Sequence, residues 1–283
     1  MFALLDEWYA RHSRPLPWRE DGMSPWAILV CEVMSQQTPV TRVIPAWQAW
    51  LEKWPTPSSM EEASTADVVR MWGRLGYPRR ALRLHECAHA ITVHHDGNIP
   101  DNYDALIALP GIGPYTAEAL LTFAFHQRSI VLDTNIRRVL ARLHGKAYAA
   151  KGRTREEEKL ALQLLPQNNN EAIIWNTALM ELGALICQVR PHCDSCPLTA
   201  HCHWHINGHP DNTPKTKAQK YIGTHRQARG RILEVLRTHT DNTNKAVLQE
   251  KSDLNSARFE PALTSLITDG FIEEYHGTYR LLQ

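Results

Sequence analysis

The sequence predicts a mainly α-helical protein that ends in a small winged-helix-like module. Three observations carry that prediction. Apolar residues recur at helical spacing from Met1 to His205, punctuated by Pro and Gly. In the stretch Leu109 to Asn135, two glycines, Gly111 and Gly113, separate one such helix from the next. After residue 222 the pattern changes to three short helices and two short strands.

Composition bounds what the chain can be. Its 283 residues, 43% of them apolar, can bury a substantial core in one large domain or two. Net charge is +1, so any nucleic-acid contact must come from a local patch rather than a global basic field. No apolar run is long enough to span a membrane, so no membrane partner is expected. The N-terminus carries Asp6 and Glu7 early and lacks a basic leader, which predicts a cytoplasmic protein without a signal peptide.

Taken in order, Met1 to His12 forms an amphipathic helix stopped by Pro15 and Pro17. Trp18 beside Arg19 suits stacking on a base and bonding to a phosphate or base edge; packing in a core is the plain alternative. Ser24-Pro25 caps and starts a helix running to Gln37. Glu32 is the single charge in that helix. Poor solvation there would raise its pKa and fit it for general-acid work, whereas an exposed Glu would have no such role. Gln36 and Gln37 lie at the helix end, before Thr38-Pro39 breaks it, and a Trp-rich helix follows from Arg42 to Trp54. Ser64 to Leu75 is the next helix. Tyr77 then meets Arg79, Arg80 and Arg83 in a local basic, aromatic patch, with a merely solvated basic face as the alternative, and the helix beyond runs to about His94.

A helix from near Asp104 enters the hairpin. There Gly111 and Gly113, flanked by Pro110 and Pro114, are expected to adopt backbone angles closed to other residues. The helix after it, Thr116 to Phe125, would present free backbone N–H groups, a phosphate-binding device; a helix–turn–helix corner packed for structure alone is the equal alternative. Asp133 and Asn135 stand at the start of a helix over Ile136 to His144, where an Asp is ordinarily a cap. Arg137, Arg138 and Arg142 add positive charge. The charged stretch Lys151 to Lys159 leads to one more helix. Ala172 to Ile186 is strongly apolar except for Asn176 and Glu181.

Cys187, Cys193, Cys196 and Cys202 have the form C-x5-C-x2-C-x5-C, which predicts a metal site. A single C-x2-C between longer arms suits four thiolates around a cubane cluster better than a zinc ribbon. His192, His201, His203 and His205 keep zinc open. Cys31 and Cys87 read as buried thiols. The polar stretch 207–222 reads as a linker. The tail carries as many acidic as basic residues, so structural packing or protein contact is as good a reading for it as DNA contact.

Together these motifs resemble the helix–hairpin–helix DNA glycosylase superfamily over roughly residues 8–205, most of all its adenine-excising branch. The resemblance rests on Leu16-Pro17-Trp18-Arg19, Glu32-Val33-Met34 with Gln36-Gln37-Thr38, Leu75-Gly76-Tyr77 with Arg80-Ala81, Leu109-Pro110-Gly111-Ile112-Gly113, Leu132-Asp133 with Asn135, and Met180-Glu181-Leu182-Gly183-Ala184.

The resemblance implies a glycosylase core over 1–206, with a six-helix subdomain at 21–132 and a cluster subdomain built from 1–20 and 133–206. A linker at 207–222 and a winged-helix-like module at 223–283 would follow. It implies a monomer that binds double-stranded DNA with adenine mispaired to 8-oxoguanine or guanine and flips that adenine out of the stack. Glu32 would protonate the adenine and Asp133 would stabilise the sugar cation, with Tyr115 and Asn135 in support. Trp18, Arg19 and Glu181 would hold the base. Gln37, next to Gln36, and Tyr77 would wedge into the duplex, Gly111 and Gly113 would grip a phosphate, and the four cysteines would bind a 4Fe-4S cluster. Tyr115 stands where the related endonuclease III carries a Schiff-base lysine, which implies a monofunctional enzyme. A thymine-mismatch glycosylase and a non-catalytic DNA-structure binder are the other readings. The sequence departs from the branch in two ways. Its first cysteine gap is one residue short, and its tail replaces the usual Nudix-like domain.

Overall fold

The computed structural model describes residues 1–210, 221–239 and 242–283. Most of the expected linker over 207–222 therefore lies outside the described residues. Helices dominate, in the order α1 Phe2–His12, α2 Pro25–Ser35, α3 Val40–Lys53, α4 Pro57–Glu61, α5 Thr65–Trp72, α6 Arg79–His94, α7 Tyr103–Ala108 and α8 Pro114–Phe123. They continue as α9 Thr134–Leu143, α10 Arg155–Leu164, α11 Asn169–Leu185, α12 His203–Ile206, α13 His225–Thr238, α14 Lys245–Lys251 and α15 Ser256–Thr268. The strands are β1 Thr243–Asn244, β2 Ile272–Tyr275 and β3 Thr278–Leu281.

Local chemistry sets many of the boundaries. Ser64, Asp133, Thr154, Asn168, Thr224, Asn244 and Asn255 each cap a helix by accepting the backbone N–H three residues on. Ser24 Oγ accepts from Ala27 N at the start of α2, as its sequence predicts. α4 was not anticipated. Its capping box, Thr56 with Ser59, follows Pro55 and precedes no long apolar run.

The chain divides into two compact units. The first comprises Met1–Glu32, Pro100–Ala108 and the described residues of Ile112–Lys215. Its core joins Leu5 and Trp8 of α1, Val131 and Leu132, the inner face of α9 (Ile136, Val139, Leu140) and the apolar stripe of α11 (Trp175, Ala178, Leu179, Leu182). Each large side chain buried there contributes roughly 1.5–3 kcal/mol. The loop that carries Asp133 is thus anchored at both ends.

The second unit comprises Val33–Ile99, Leu109–Gly111 and the described residues of Thr216–Gln283. In it α13, α14 and α15 pack against a three-stranded antiparallel sheet of order β1-β3-β2, a winged-helix-like arrangement. Sequence pattern indicated two strands; β1 is too short to show a period. The core of this module, including Ile232, Leu236, Phe259, Leu263 and Phe271, is continuous with Ala66 and Val69 of α5. Arg237 Nε also donates to the Val69 carbonyl at 3.1 Å.

Candidate active site

Glu32 sits near the C-terminal end of α2, on a helix whose other residues are mostly buried and apolar. It keeps some contact with solvent. Its carboxylate Oε2 accepts a 2.6 Å hydrogen bond from the Tyr115 hydroxyl on α8. Burial raises the Glu32 pKa to about 7. The Tyr115 bond and the Arg19 cation pull it down, while the nearby Asp133 carboxylate pushes it up. A carboxylic acid that still holds its proton near neutral pH can act as a general acid. Tyr115 is itself raised well above the ordinary phenol value, by burial first and then by Glu32 and Asp133, so it stays a hydrogen-bond donor.

Asp133 caps α9. Its Oδ1 accepts the Ile136 N–H at 2.6 Å and its Oδ2 accepts the Asn135 side-chain amide at 2.9 Å. Burial raises the Asp133 pKa, and these bonds together with the Arg138 cation oppose the rise. The helix N terminus therefore holds the Asp133 carboxylate in a fixed position. Asn135 is fixed in turn, its Oδ1 accepting from Arg138 Nη2 at 2.8 Å. Gly183 of α11 lies against it. A Cβ at position 183 would come within 2.6 Å of Asn135 Cβ and 2.9 Å of its carbonyl oxygen.

Glu181, on α11, is completely buried. Its Oε1 accepts from Arg14 Nε at 2.5 Å and its Oε2 from Arg19 Nη2 at 2.8 Å. Burial favours its neutral form, but the pairing with Arg14 and Arg19 outweighs burial and holds the pKa below the ordinary value. Glu181 thus orients Arg19, whose guanidinium lies 5.9 Å from the Tyr9 ring centre. Trp18 precedes it in a short 3-10 turn over Pro17–Arg19 and is half-buried.

The four clustered cysteines are free thiols on one loop. They lie close enough to disturb one another. Burial raises Cys193, Cys196 and Cys202, Cys196 to about 11, and the negative charge of neighbouring thiolates adds to each rise. As thiolates they would repel one another at this spacing, and a bound cation would relieve that repulsion. Arg142, nearly fully buried beneath Trp204, donates to Cys187 Sγ at 3.2 Å and to the Gln188 carbonyl at 2.6 Å. Arg138 donates to the Cys187 carbonyl at 2.7 Å. The arginines of α9 therefore fasten the cysteine loop to the helix that Asp133 caps. A second donor group brings Cys193, His205 and His209 within 4.8 Å of one another.

The remaining predicted residues belong to the second unit, except Gly113. Gln37 and Tyr77 both have left-handed backbones, at φ 55° and 46°, which are strained for non-glycine residues. Arg80 ties their loops together. Its Nη1 donates to the carbonyls of Val33, Met34 and Gln36 at 2.7–3.0 Å, and its Nη2 to Thr38 Oγ1 and the Gly76 carbonyl, each at 3.0 Å. Burial lowers its pKa to about 10, so it remains charged at neutral pH.

Three expectations need correction. Of Arg79, Arg80 and Arg83, Arg80 turns inward and leaves the basic patch, while Arg79 and Arg83 stay exposed and pair with Asp269 and Glu86. Arg137, Arg138 and Arg142 are likewise engaged by protein groups, Arg137 with Glu157 and the Gly152 carbonyl. Of the two hairpin glycines only Gly111 has the left-handed backbone expected, at φ 78°, and a Cβ there would meet Arg83 Cβ at 2.9 Å. Gly113 has φ −104°, open to any residue, and a Cβ there would meet nothing within 4 Å.

Residues 30–167 match the family model described as HhH-GPD superfamily base excision DNA repair protein. The chain is 48% identical over 268 residues to an adenine DNA glycosylase of Mycobacterium tuberculosis, covering 94% of this chain and 88% of that protein. Among solved structures it is similar to a thermostable thymine-DNA glycosylase, with a TM-score of 0.67 and 25% identity, over 73% of this chain and 95% of that one. It also shares the fold of endonuclease III in a non-covalent DNA complex, with a TM-score of 0.63 and 23% identity, over 73% of this chain and 94% of that one.

Proposed function

We propose how the site works in a chain that belongs to the adenine DNA glycosylases, within the HhH-GPD superfamily of base excision DNA repair proteins. The protein is a DNA glycosylase that hydrolyses the N-glycosidic bond of adenine. Its target in this reading is adenine opposite 8-oxoguanine or guanine in duplex DNA. Unstacking is cheapest at such a mismatch, where pairing is already weak.

Glu32 donates its proton to N7 of the extruded adenine. The C1′–N9 bond then breaks, its electron pair leaving with the adenine. Asp133 faces the cationic sugar as a carboxylate, an electrostatic aid that supplies several kcal/mol of barrier lowering in comparable sites. Water adds to C1′ and gives up a proton, which the Glu32 carboxylate can take back. The observation that carries this reading is the division of labour between two carboxyl groups. Glu32 is half-buried on an apolar helix and raised to about 7, while Asp133 is held by helix N–H groups. Tyr115 donates to Glu32 and has no amine with which to form a Schiff base, which supports a monofunctional enzyme. Arg19, oriented by Glu181, and Trp18 hold the base. Gln37 and Tyr77 enter the duplex beside Gln36, and the strained backbones of Gln37 and Tyr77 suit a preorganised probe.

Gly113 supports the phosphate grip. The open space around it leaves room for a phosphate to approach the free N–H groups at the N-terminus of α8. Cys187, Cys193, Cys196 and Cys202 would hold a 4Fe-4S cluster. Four thiolates, with Arg142 donating to one of them and apolar packing around three, fit that group. When bound, the cluster would fix the shape of the 187–202 loop. The protein in this reading acts as a cytoplasmic monomer.

The test uses duplexes with A opposite 8-oxoguanine, A opposite G, or T opposite G, followed by alkali. Alkali-labile sites in the adenine strands are expected. None there, or cleavage only of the thymine strand, defeats the reading. Strand breaks without alkali, trapped by borohydride, defeat the monofunctional assignment. Iron and sulfide analysis, with about four of each per chain expected, separates the cluster from zinc.

A further inference from the structure

The winged-helix-like module has no assigned part in the reaction, yet one of its residues reaches Tyr77. Arg226, on the first turn of α13, donates from Nη1 to the Tyr77 hydroxyl at 2.6 Å. Its guanidinium also lies 5.3 Å from the Tyr77 ring centre and 5.2 Å from that of Tyr221. Tyr77 and Tyr221 are 41% and 49% exposed, so this aromatic–cation–aromatic stack faces solvent. Arg74 and Arg79 make ordinary links to the module through Glu234 and Asp269. Arg226 instead takes an exposed aromatic as its partner.

An exposed tyrosine on a loop ordinarily samples several rotamers, and ordering it on DNA costs affinity. Tyr77 is held in one position from two sides. Arg80 fixes its loop from within, and Arg226 fixes its hydroxyl and ring from the module. A guanidinium is suited to this, since it is planar, always charged, and able to stack and donate at once.

We propose that Arg226 is a positioning residue for Tyr77, and that the C-terminal module thereby takes part in discriminating mismatched from paired DNA. This rests on the reading of Tyr77 as the aromatic that enters the duplex. The module acts through Tyr77 rather than by reading bases itself.

The test compares full-length wild type, Arg226→Ala, Arg226→Lys, Tyr77→Ala and the double variant Tyr77→Ala/Arg226→Ala. Binding is measured to a duplex with a cleavage-resistant 2′-fluoro-deoxyadenosine opposite 8-oxoguanine and to the same duplex fully paired. Arg226→Ala is expected to lower the ratio of mismatched to paired affinity about fivefold or more, with paired-duplex affinity within about twofold of wild type. Arg226→Lys is expected to fall between. In the Tyr77→Ala background, removing Arg226 should change the ratio by less than about twofold. Equal loss on both duplexes would mark Arg226 as a plain phosphate contact, and independent multiplication with Tyr77→Ala would mark a separate role; either overturns the proposal. If Arg226→Ala does not fold, Arg226→Lys and Tyr77→Phe serve in its place, and a wild-type ratio in both overturns it. Wild type is assayed alongside on cleavable deoxyadenosine. Failure to excise adenine removes the underlying reading and this inference with it. Excision with an unchanged ratio in Arg226→Ala removes the inference alone.

Discussion

The Tyr115 hydroxyl donates a 2.6 Å hydrogen bond to Oε2 of Glu32, and that bond opposes the effect of burial on the acid. Burial drives Glu32 toward its neutral form, while the bond favours the carboxylate. The balance lies at about 7, where one group can both give up and regain a proton.

Replacing Tyr115 with Phe removes the stabilisation of the carboxylate, so the Glu32 pKa rises further. The proposed mechanism uses the protonated acid, so the single-turnover rate should fall off on the alkaline side. In wild type that fall should centre near the Glu32 value of about 7. In Tyr115→Phe it should move up by about one pH unit, the worth of one hydrogen bond to a charged group. A fall-off that stays in place, or moves to lower pH, would show that Tyr115 does not tune Glu32.

The same shift has a consequence for stability. Between pH 4.5, the ordinary Glu value, and about 7, the folded chain keeps a proton that the unfolded chain has released. Stability therefore declines as pH rises through that window and stays lower above it. Glu32→Gln removes the decline. The variant should match wild type in thermal unfolding at pH 4.5 and exceed it at pH 8. The gain is on the order of 2 kcal/mol after allowance for solvent contact, or a few degrees in Tm. It should also lose about a hundredfold or more in rate, because general acid catalysis is gone. A variant less stable than wild type at pH 8 would contradict the burial argument.

Gly183→Ala tests a contact that no local pattern reveals. The added Cβ would sit 2.6 Å from Asn135 Cβ and 2.9 Å from the Asn135 carbonyl oxygen, so α9 or α11 must shift. Overpacking of this kind costs about 1–3 kcal/mol. Because Asn135 holds Asp133, the single-turnover rate should fall more than mismatch affinity does. Equal losses in rate and affinity, or neither, would disconnect Gly183 from the Asp133 site.

What the sequence discloses and what it hides follow from the range of each interaction. Ser64 and Asn255 act within three residues, so their helices begin where the pattern places them, and α15 spans Ser256–Thr268 as expected; α9 begins at Thr134, directly after its Asp133 cap and two residues before the expected Ile136. The isolation of Glu32 on an apolar helix is equally local. The Tyr115 bond to it spans 83 residues and the Arg14 bond to Glu181 spans 167, and no periodicity encodes either partner. Arginine clusters misled for the same reason. Arg80, Arg138 and Arg142 look like surface charge in a one-dimensional count, but carbonyl groups at loop ends draw them inward. Gly183 carried no visible reason for being glycine until α9 was seen against it.

The two hairpin glycines separate folding from DNA binding. Gly111 has φ 78°, and a Cβ there would press on Arg83 Cβ at 2.9 Å. Gly111→Ala should therefore lower stability by about 2 kcal/mol, through backbone strain and overpacking. Gly113 has an ordinary backbone and open space around it, so Gly113→Ala should unfold at the wild-type temperature. Its methyl would instead occupy the approach to the first N–H groups of α8, where a phosphate is expected to sit. Affinity for duplex DNA should fall about tenfold, the loss of one charge-assisted hydrogen bond, and by the same factor on mismatched and paired duplexes, because a phosphate carries no sequence information. Thermal unfolding and equilibrium binding of the two variants, measured side by side, check the division. Stable folding with undiminished DNA affinity in Gly113→Ala would remove the phosphate from α8 and leave its glycine without a role.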